Sequence, residues 1–344
     1  MRQACQWRLV GDRLEHGRRR PRQETLFYYF VPSWCCLVVR LFAVLILLLC
    51  SLPSRAEVQL LVSIRPLQLI AAAVQDGVGT PTVLLPGAAS PHHYALRPSD
   101  VRRVREAQLL YWVGPDLETF LPRVLQGRKG PSLALQSLEG LQLRHFGEDH
   151  AEHDHAHDQH DHAHRPGSLD AHLWLLPHNA RLIAARMAQD LAQADPANAG
   201  RYQSNLAAFS ERLDALDARL AERLVPLRGK PYFVFHEAYD YFEAAYGLKH
   251  AGVFSVQGDV QPGARHVAQM RERLSKAGPS CVFSEPPLRP RLAETLSAGL
   301  PVRLAELDAM GADLPLDAQA YERLLENLAA GLSDCLSSLD ADGA

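Results

Sequence analysis

Long apolar runs are scarce in this 344-residue chain. The longest, Leu37 to Cys50, is interrupted by Arg40, and its apolar core Leu41–Leu49 falls short of the about 20 residues that span a bilayer. That length suits a secretory h-region instead, preceded by Arg18-Arg19-Arg20 and Arg22 and followed by Pro53, Ser54 and a cleavage position after Ala56. Cys50 follows Leu47-Leu48-Leu49 and so lacks the small residue that precedes a lipoprotein cysteine. Methionine is equally scarce: none lies between Met1 and Met187, which leaves a non-ATG start at Val38 or Val39 open. Residues 1–56 are expected to be a removed leader.

Without that leader, positive charge is in deficit. The remaining 288 residues carry 27 basic against 36 acidic side chains, a net of −9, which disfavours nucleic acid as a partner and is compatible with gathering cations. Only two of the six cysteines remain, Cys281 and Cys335, and in an exported chain they read as one disulfide. No internal repeat and no coiled-coil period is present, and HExxH is missing.

Histidine is what the chain has in excess. Eight of the sixteen lie in "HFGEDHAEHDHAHDQHDHAHR", His145 to Arg165: His145, His150, His153, His155, His157, His160, His162 and His164. Imidazole and carboxylate suit Zn²⁺ and its first-row neighbours. A polar low-complexity run has few apolar residues to fix ligands in place, so it reads as an accessory, low-affinity collector of ions.

Around it the chain alternates strand and helix. Apolar runs at 58–64, 81–85 and 109–114 read as strands, with helices over Leu67–Val74, Val101–Ala107 (capped at Ser99-Asp100) and Leu117–Gln126. From Asn179 to Val225 apolar residues recur at helical spacing, with Pro196 marking either a bend or a turn between two helices. Alternation then resumes, with strands at 232–235, 250–256, 281–285 and 302–307 and a closing helix Tyr321–Leu336. The pattern predicts an α/β protein of two lobes with parallel-type sheets: an N-terminal lobe over 57–177 that includes the His-rich loop 145–164, a helical linker over 178–228, and a C-terminal lobe over 229–344.

Four isolated residues are expected at the carboxyl ends of strands, where open α/β sheets bind ligands. His92 lies in "SPHHYALRPSD", His172 in "DAHLWLLP", His236 in "FHEAYDYFE" and Asp308 in "LDAMG". His93 competes with His92 for the first position; His178 and His250 read as helix-end or surface residues. Together with "CVFSEP", these segments resemble the periplasmic zinc-binding component of ABC-type zinc uptake systems over essentially all of 57–344. The resemblance implies two α/β lobes joined by one long rigid bridging helix, with a metal site in the cleft between them. Carried over, the Zn²⁺ ligands are His92, His172 and His236, with Asp308 or water completing the shell. It further implies a monomeric periplasmic receptor, not an enzyme, that delivers Zn²⁺ to an ABC-transporter membrane permease. Relatives that carry manganese or iron have Glu at the third position, so His236 favours zinc. Some zinc members place a Glu before the first histidine, where this chain has Pro91. The competing readings are a manganese or iron receptor, a zinc-buffering or adhesive protein using the His-rich run alone, and a zinc hydrolase. Neither Glu237 nor Asp170 has a compelling place as the hydrolase's base.

Overall fold

The computed structural model describes residues 57–87, 89–147, 167–255, 263–286 and 291–341. The expected leader and the His-rich residues His150 to His164 lie outside the described residues. Four strands, β1 (Leu60–Val62), β2 (Thr82–Val83), β3 (Leu109–Trp112) and β4 (Ser132–Ala134), form an all-parallel sheet in the order β2-β1-β3-β4. A second parallel sheet joins β5 (Tyr232–His236), β6 (Gly252–Ser255), β7 (Ser280–Ser284) and β8 (Val302–Glu306) in the order β6-β5-β7-β8. In both sheets the order in which the chain adds strands switches sides between the two central strands, the point where open α/β sheets bind ligands at the carboxyl ends. Parallel strands need covering on both faces, and β1 and β3 are buried along their whole length.

The helices are α1 (Arg65–Gln75), α2 (Pro98–Glu106), the single-turn α3 (Pro122–Leu125), α4 (Pro177–Ala194), α5 (Ala199–Leu224), α6 (Asp240–Tyr246), α7 (Ala264–Ala277), α8 (Arg291–Ser297) and α9 (Ala320–Ala341). The segment around Pro196 is a turn and not a bend: α4 ends at Ala194, Pro196–Asn198 makes one 3₁₀ turn, and α5 folds back to pack along α4. The bridge is α5, 26 residues and about 39 Å long at 1.5 Å per residue. Its buried stripe, Tyr202, Asn205, Phe209, Leu213, Leu216, Leu220 and Leu224, faces α1 in the first lobe and α9 in the second. Asn205 Nδ2 donates to Val74 O (2.9 Å) and Asp76 O (2.8 Å), closing the carbonyl end of α1 against this helix.

The lobes do not have separate cores. One contiguous apolar cluster runs from Val58 in the first sheet through α5 to Leu336 in α9. The C-terminal helix packs on α1 as well as on β7 and β8, so it belongs to both lobes. A smaller cluster, Phe233, Phe254, Met270, Leu274, Val282, Ala293 and Leu296, lies on the other face of the second sheet under α7 and α8. Strand alternation sorts the two: Tyr232, Val234, Cys281 and Phe283 face the large core, Phe233 and Val282 the small one. Cys281 and Cys335 form a disulfide that ties α9 to β7.

Candidate metal centre

His236 is the last residue of β5, and two backbone hydrogen-bonded neighbours, β6 and β7, fix its strand. His172 ends no sheet strand, contrary to the sequence expectation. It precedes a fully buried 3₁₀ turn, Leu173–Leu175, and follows the isolated antiparallel bridge His145–Leu169. That turn is pinned to the second lobe, because Trp174 Nε1 donates to Ala309 O (3.0 Å) and Tyr321 Oη donates to Trp174 O (2.6 Å). His92 lies on the long loop between β2 and α2, beyond a buried Pro91.

These three imidazoles converge. The His92, His172 and His236 ring centroids are 5.5 Å, 5.2 Å and 5.0 Å apart pairwise. One ring nitrogen of each lies within 4.8 Å of the others, a spacing that a first-row ion would draw in to bonds of about 2.0–2.1 Å. His93 is exposed, its ring 6.4 Å from that of His92, and it does not join the group.

Two of the rings have carboxylates behind them. His172 Nδ1 donates to the buried Asp170 Oδ1 at 2.7 Å, and His172 N donates to the same oxygen at 3.0 Å. His236 Nδ1 donates to Glu285 Oε1 (3.2 Å) and Oε2 (3.4 Å), while Tyr239 Oη donates to Glu285 Oε1 (3.4 Å) and to Leu307 O (2.7 Å). A carboxylate on Nδ1 sets the tautomer, leaves Nε2 for a metal and raises its basicity. Asp170 was legible in the D-x-H spacing, though only as a weak candidate base. Glu285 was missed: it stands in "CVFSEP", and its contact reaches back 49 residues.

Asp308 is placed differently from the sequence expectation. Its Oδ1 accepts from Met310 N (2.8 Å) and Gly311 N (2.9 Å) and its Oδ2 from Ala312 N (2.8 Å), so the carboxylate organises the "LDAMG" turn. It is not among the side chains whose ligand atoms gather with the three histidines. His250 is likewise no surface residue: its side chain is 12% exposed and bonded to Glu243. His178 is a helix-end histidine as expected, its Nε2 3.3 Å from Gly140 O.

Burial holds the His172 imidazole down to about 3, with the neighbouring His236 adding to the effect. Burial pushes the Asp170 carboxyl up to about 7. At His236 burial acts downward, but the Glu285 carboxylate more than offsets it and the imidazole is raised above its ordinary value. Burial therefore keeps His172 neutral across the neutral range, whereas the Glu285 carboxylate favours the protonated form of His236.

The chain matches, over residues 60–335, the protein family described as "ZnuA: Zinc-uptake complex component A periplasmic". The "High-affinity zinc uptake system protein ZnuA" of Yersinia pestis is 40% identical over 286 residues, covering 80% of this chain and 90% of that protein. The protein of the same name from Brucella abortus (strain 2308) is 38% identical over 280 residues, covering 74% and 84%. The fold is similar to that of a solved "138-173 ZnuA deletion mutant plus zinc bound", with a TM-score of 0.67 and 23% identity over 82% of this chain and 98% of that one. The chain belongs to the family of periplasmic zinc-uptake component A proteins.

Proposed function

We propose that this protein is the periplasmic zinc receptor of an ABC-type uptake system. It binds one Zn²⁺ tightly between its lobes, carries it to a membrane permease, and performs no catalysis. The observation that carries this reading is the convergence of His92, His172 and His236, two of them backed by carboxylates, from both lobes of a chain with one shared core. Three nitrogen ligands suit Zn²⁺ better than harder cations. A hydrolytic zinc would need a general base facing its open position. Here the nearest carboxylates, Asp170 and Glu285, are spent on ring Nδ1 atoms. Water completes the shell in this reading, with Asp308 shaping the wall beside it. Residues 1–56 serve as the removed leader, and the shared core confines movement on ion capture to loops such as the one bearing His92.

The His-rich run is an accessory. Phe146 N donates to Ser168 O (3.0 Å) and Gly167 N to Phe146 O (2.9 Å), so the described residues on either side of it are closed against each other two residues from Asp170. Deleting Glu148–His164 is expected to leave the tight Zn²⁺ site intact and to remove the several weak equivalents contributed by the run. Metal content and titration against a competing chelator, with and without the run, decide this. Loss of the tight site with the run would reverse the assignment.

Zinc affinity is also expected to depend on pH less steeply than three free histidines would require. The raised His236 releases its proton only above the ordinary value of about 6.5, so affinity begins to fall there as pH drops. His172, at about 3, carries no proton to displace over that range. The imidazoles then release fewer than three protons per ion, and repeating the competitive titration with Asp170→Asn separates the proton that the Asp170 carboxyl, at about 7, contributes. Three protons per ion released by Asp170→Asn across the neutral range would contradict the asymmetry.

A further inference from the structure

We propose a second divalent-cation site, built from Glu237, Asp240 and His250, which takes Zn²⁺ more weakly than the three-histidine cage and stands beside it. Glu237 lies in the turn after β5, and Asp240 is the first residue of α6. His250 lies beyond the C-terminus of α6, on the connection to β6. Gly247, at φ 68°, ends the helix in the left-handed conformation that a glycine adopts without strain, and Leu248 N donates to Glu243 O (2.9 Å) as the chain turns back. Ala251 N then donates to Tyr232 O (2.6 Å), which brings His250 alongside the start of the same helix. One ligand atom from each of Glu237, Asp240 and His250 lies within 4.8 Å of the other two.

What separates this group from an ordinary acidic patch is the way its imidazole is held. His250 Nδ1 is 2.9 Å from Glu243 Oε2 and 3.0 Å from Oε1, and Glu243 Oε1 itself accepts from Tyr232 Oη at 2.7 Å. Glu243 is buried, and besides His250 the Tyr232 hydroxyl holds it in place. A buried carboxylate behind Nδ1, with Nε2 left over, is the device that orients His172 and His236 in the cage. The group is only partly exposed, 18% for the Asp240 side chain and 12% for His250, so an ion there would keep some of its water. Two carboxylates and one imidazole suit Zn²⁺ and its first-row neighbours.

Charge sets the strength. Without a metal, His250 forms an ion pair with Glu243 and lies 3.8 Å from Asp240, and Arg144 adds a further positive field at Asp240. A cation there must compete with the Glu243 carboxylate for the ring and with the Arg144 field at Asp240, which weakens the site relative to the cage. Glu237 directly follows the cage residue His236 in the chain, and its charge acts on both His236 and His250. Glu237 is thus the one residue of the second group that adjoins a cage residue in the chain.

The test is a Zn²⁺ titration of the whole mature chain followed by ¹H–¹⁵N spectra of the histidine rings, with the His250 signal assigned by His250→Gln. After the first equivalent, the His250 Nε2 resonance should move to a metal-bound position, and Asp240→Asn should weaken that response by at least about tenfold. A His250 signal unmoved by a large excess of Zn²⁺, or moving equally well in Asp240→Asn, overturns the proposal. Should Asp240→Asn fail to fold, Glu237→Gln, which is half-buried, carries the same expectation. The His172 signal reports the cage in the same spectra, so failure of the cage and failure of the second site are read separately.

Discussion

Replacing His172 with alanine is expected to lower zinc affinity by more than about two orders of magnitude, beyond the 10–100-fold that loss of an outer-shell partner costs. His172 is 3% exposed and sits on a turn whose three residues are fully buried, so no neighbouring side chain can swing in to replace the lost nitrogen. The change also leaves Asp170 Oδ1 with only the backbone N–H of residue 172, inside a site where burial already favours its protonated form. Asp170→Asn tests the support separately: it keeps the ring but removes the carboxylate that fixes its tautomer, and about 10–100-fold is the expected loss. His93→Ala is the control, since that ring is exposed and outside the group. Competitive zinc titrations of these three variants and of His92→Ala order the effects. A tight site destroyed by His93→Ala but spared by His92→Ala would refute the ligand set.

The second large effect is on stability. The disulfide joins residues 54 apart in sequence, and closing a loop of that size in the unfolded chain is worth about 4 kcal/mol on the chain-entropy account. For a domain of this size Cys335→Ala should lower the melting temperature by roughly 8 °C. Cys335 lies in α9, the helix shared by both lobes, so the loss should reach the cage as well as the second sheet. Thermal unfolding with and without reductant measures this, and titration of the denatured, unreduced protein should find no free thiol. Two reactive thiols, or an unchanged melting temperature on reduction, would contradict it.

Much of the architecture could be read from the chain because its strands are short apolar runs bounded by turn residues, as in "YFVF" and "CVFSE". β4 was not legible: Ser132–Ala134 is a three-residue edge strand, exposed to half-buried, with no apolar run to mark it. The expected helix Leu117–Gln126 shrinks to Pro122–Leu125. Pro122 has no N–H to extend a helix backwards, and Glu118 is buried to accept Val113 N (3.2 Å) and Gly114 N (2.9 Å) from the preceding turn. At the site, the histidines were visible as strand-end or motif residues, and the structure gathers them. Which way Asp308 turns was not visible, because three backbone N–H groups immediately after it compete for its oxygens. Glu285 and Glu243 escaped notice for another reason: a carboxylate behind a ring is recognised only once tertiary contacts are known.

The division of the second sheet between a large core and a small one bears on how an ion leaves. Local opening draws on the least-buried parts of a structure. His172 and Asp170 rest on the large cluster, through Trp174 and the turn that Tyr321 anchors. His236 depends on Glu285, which follows the carboxyl end of β7 in the sheet whose outer face, among the described residues, carries the smaller cluster under α7 and α8. The cage therefore has a firm wall and a yielding one. On the proposed function, loosening of that outer layer would disturb Glu285 and with it the orientation of His236, before His172 is affected. Release of the ion in the proposed function would then begin at one identifiable residue, His236, and its rate would follow the opening of the thinner layer.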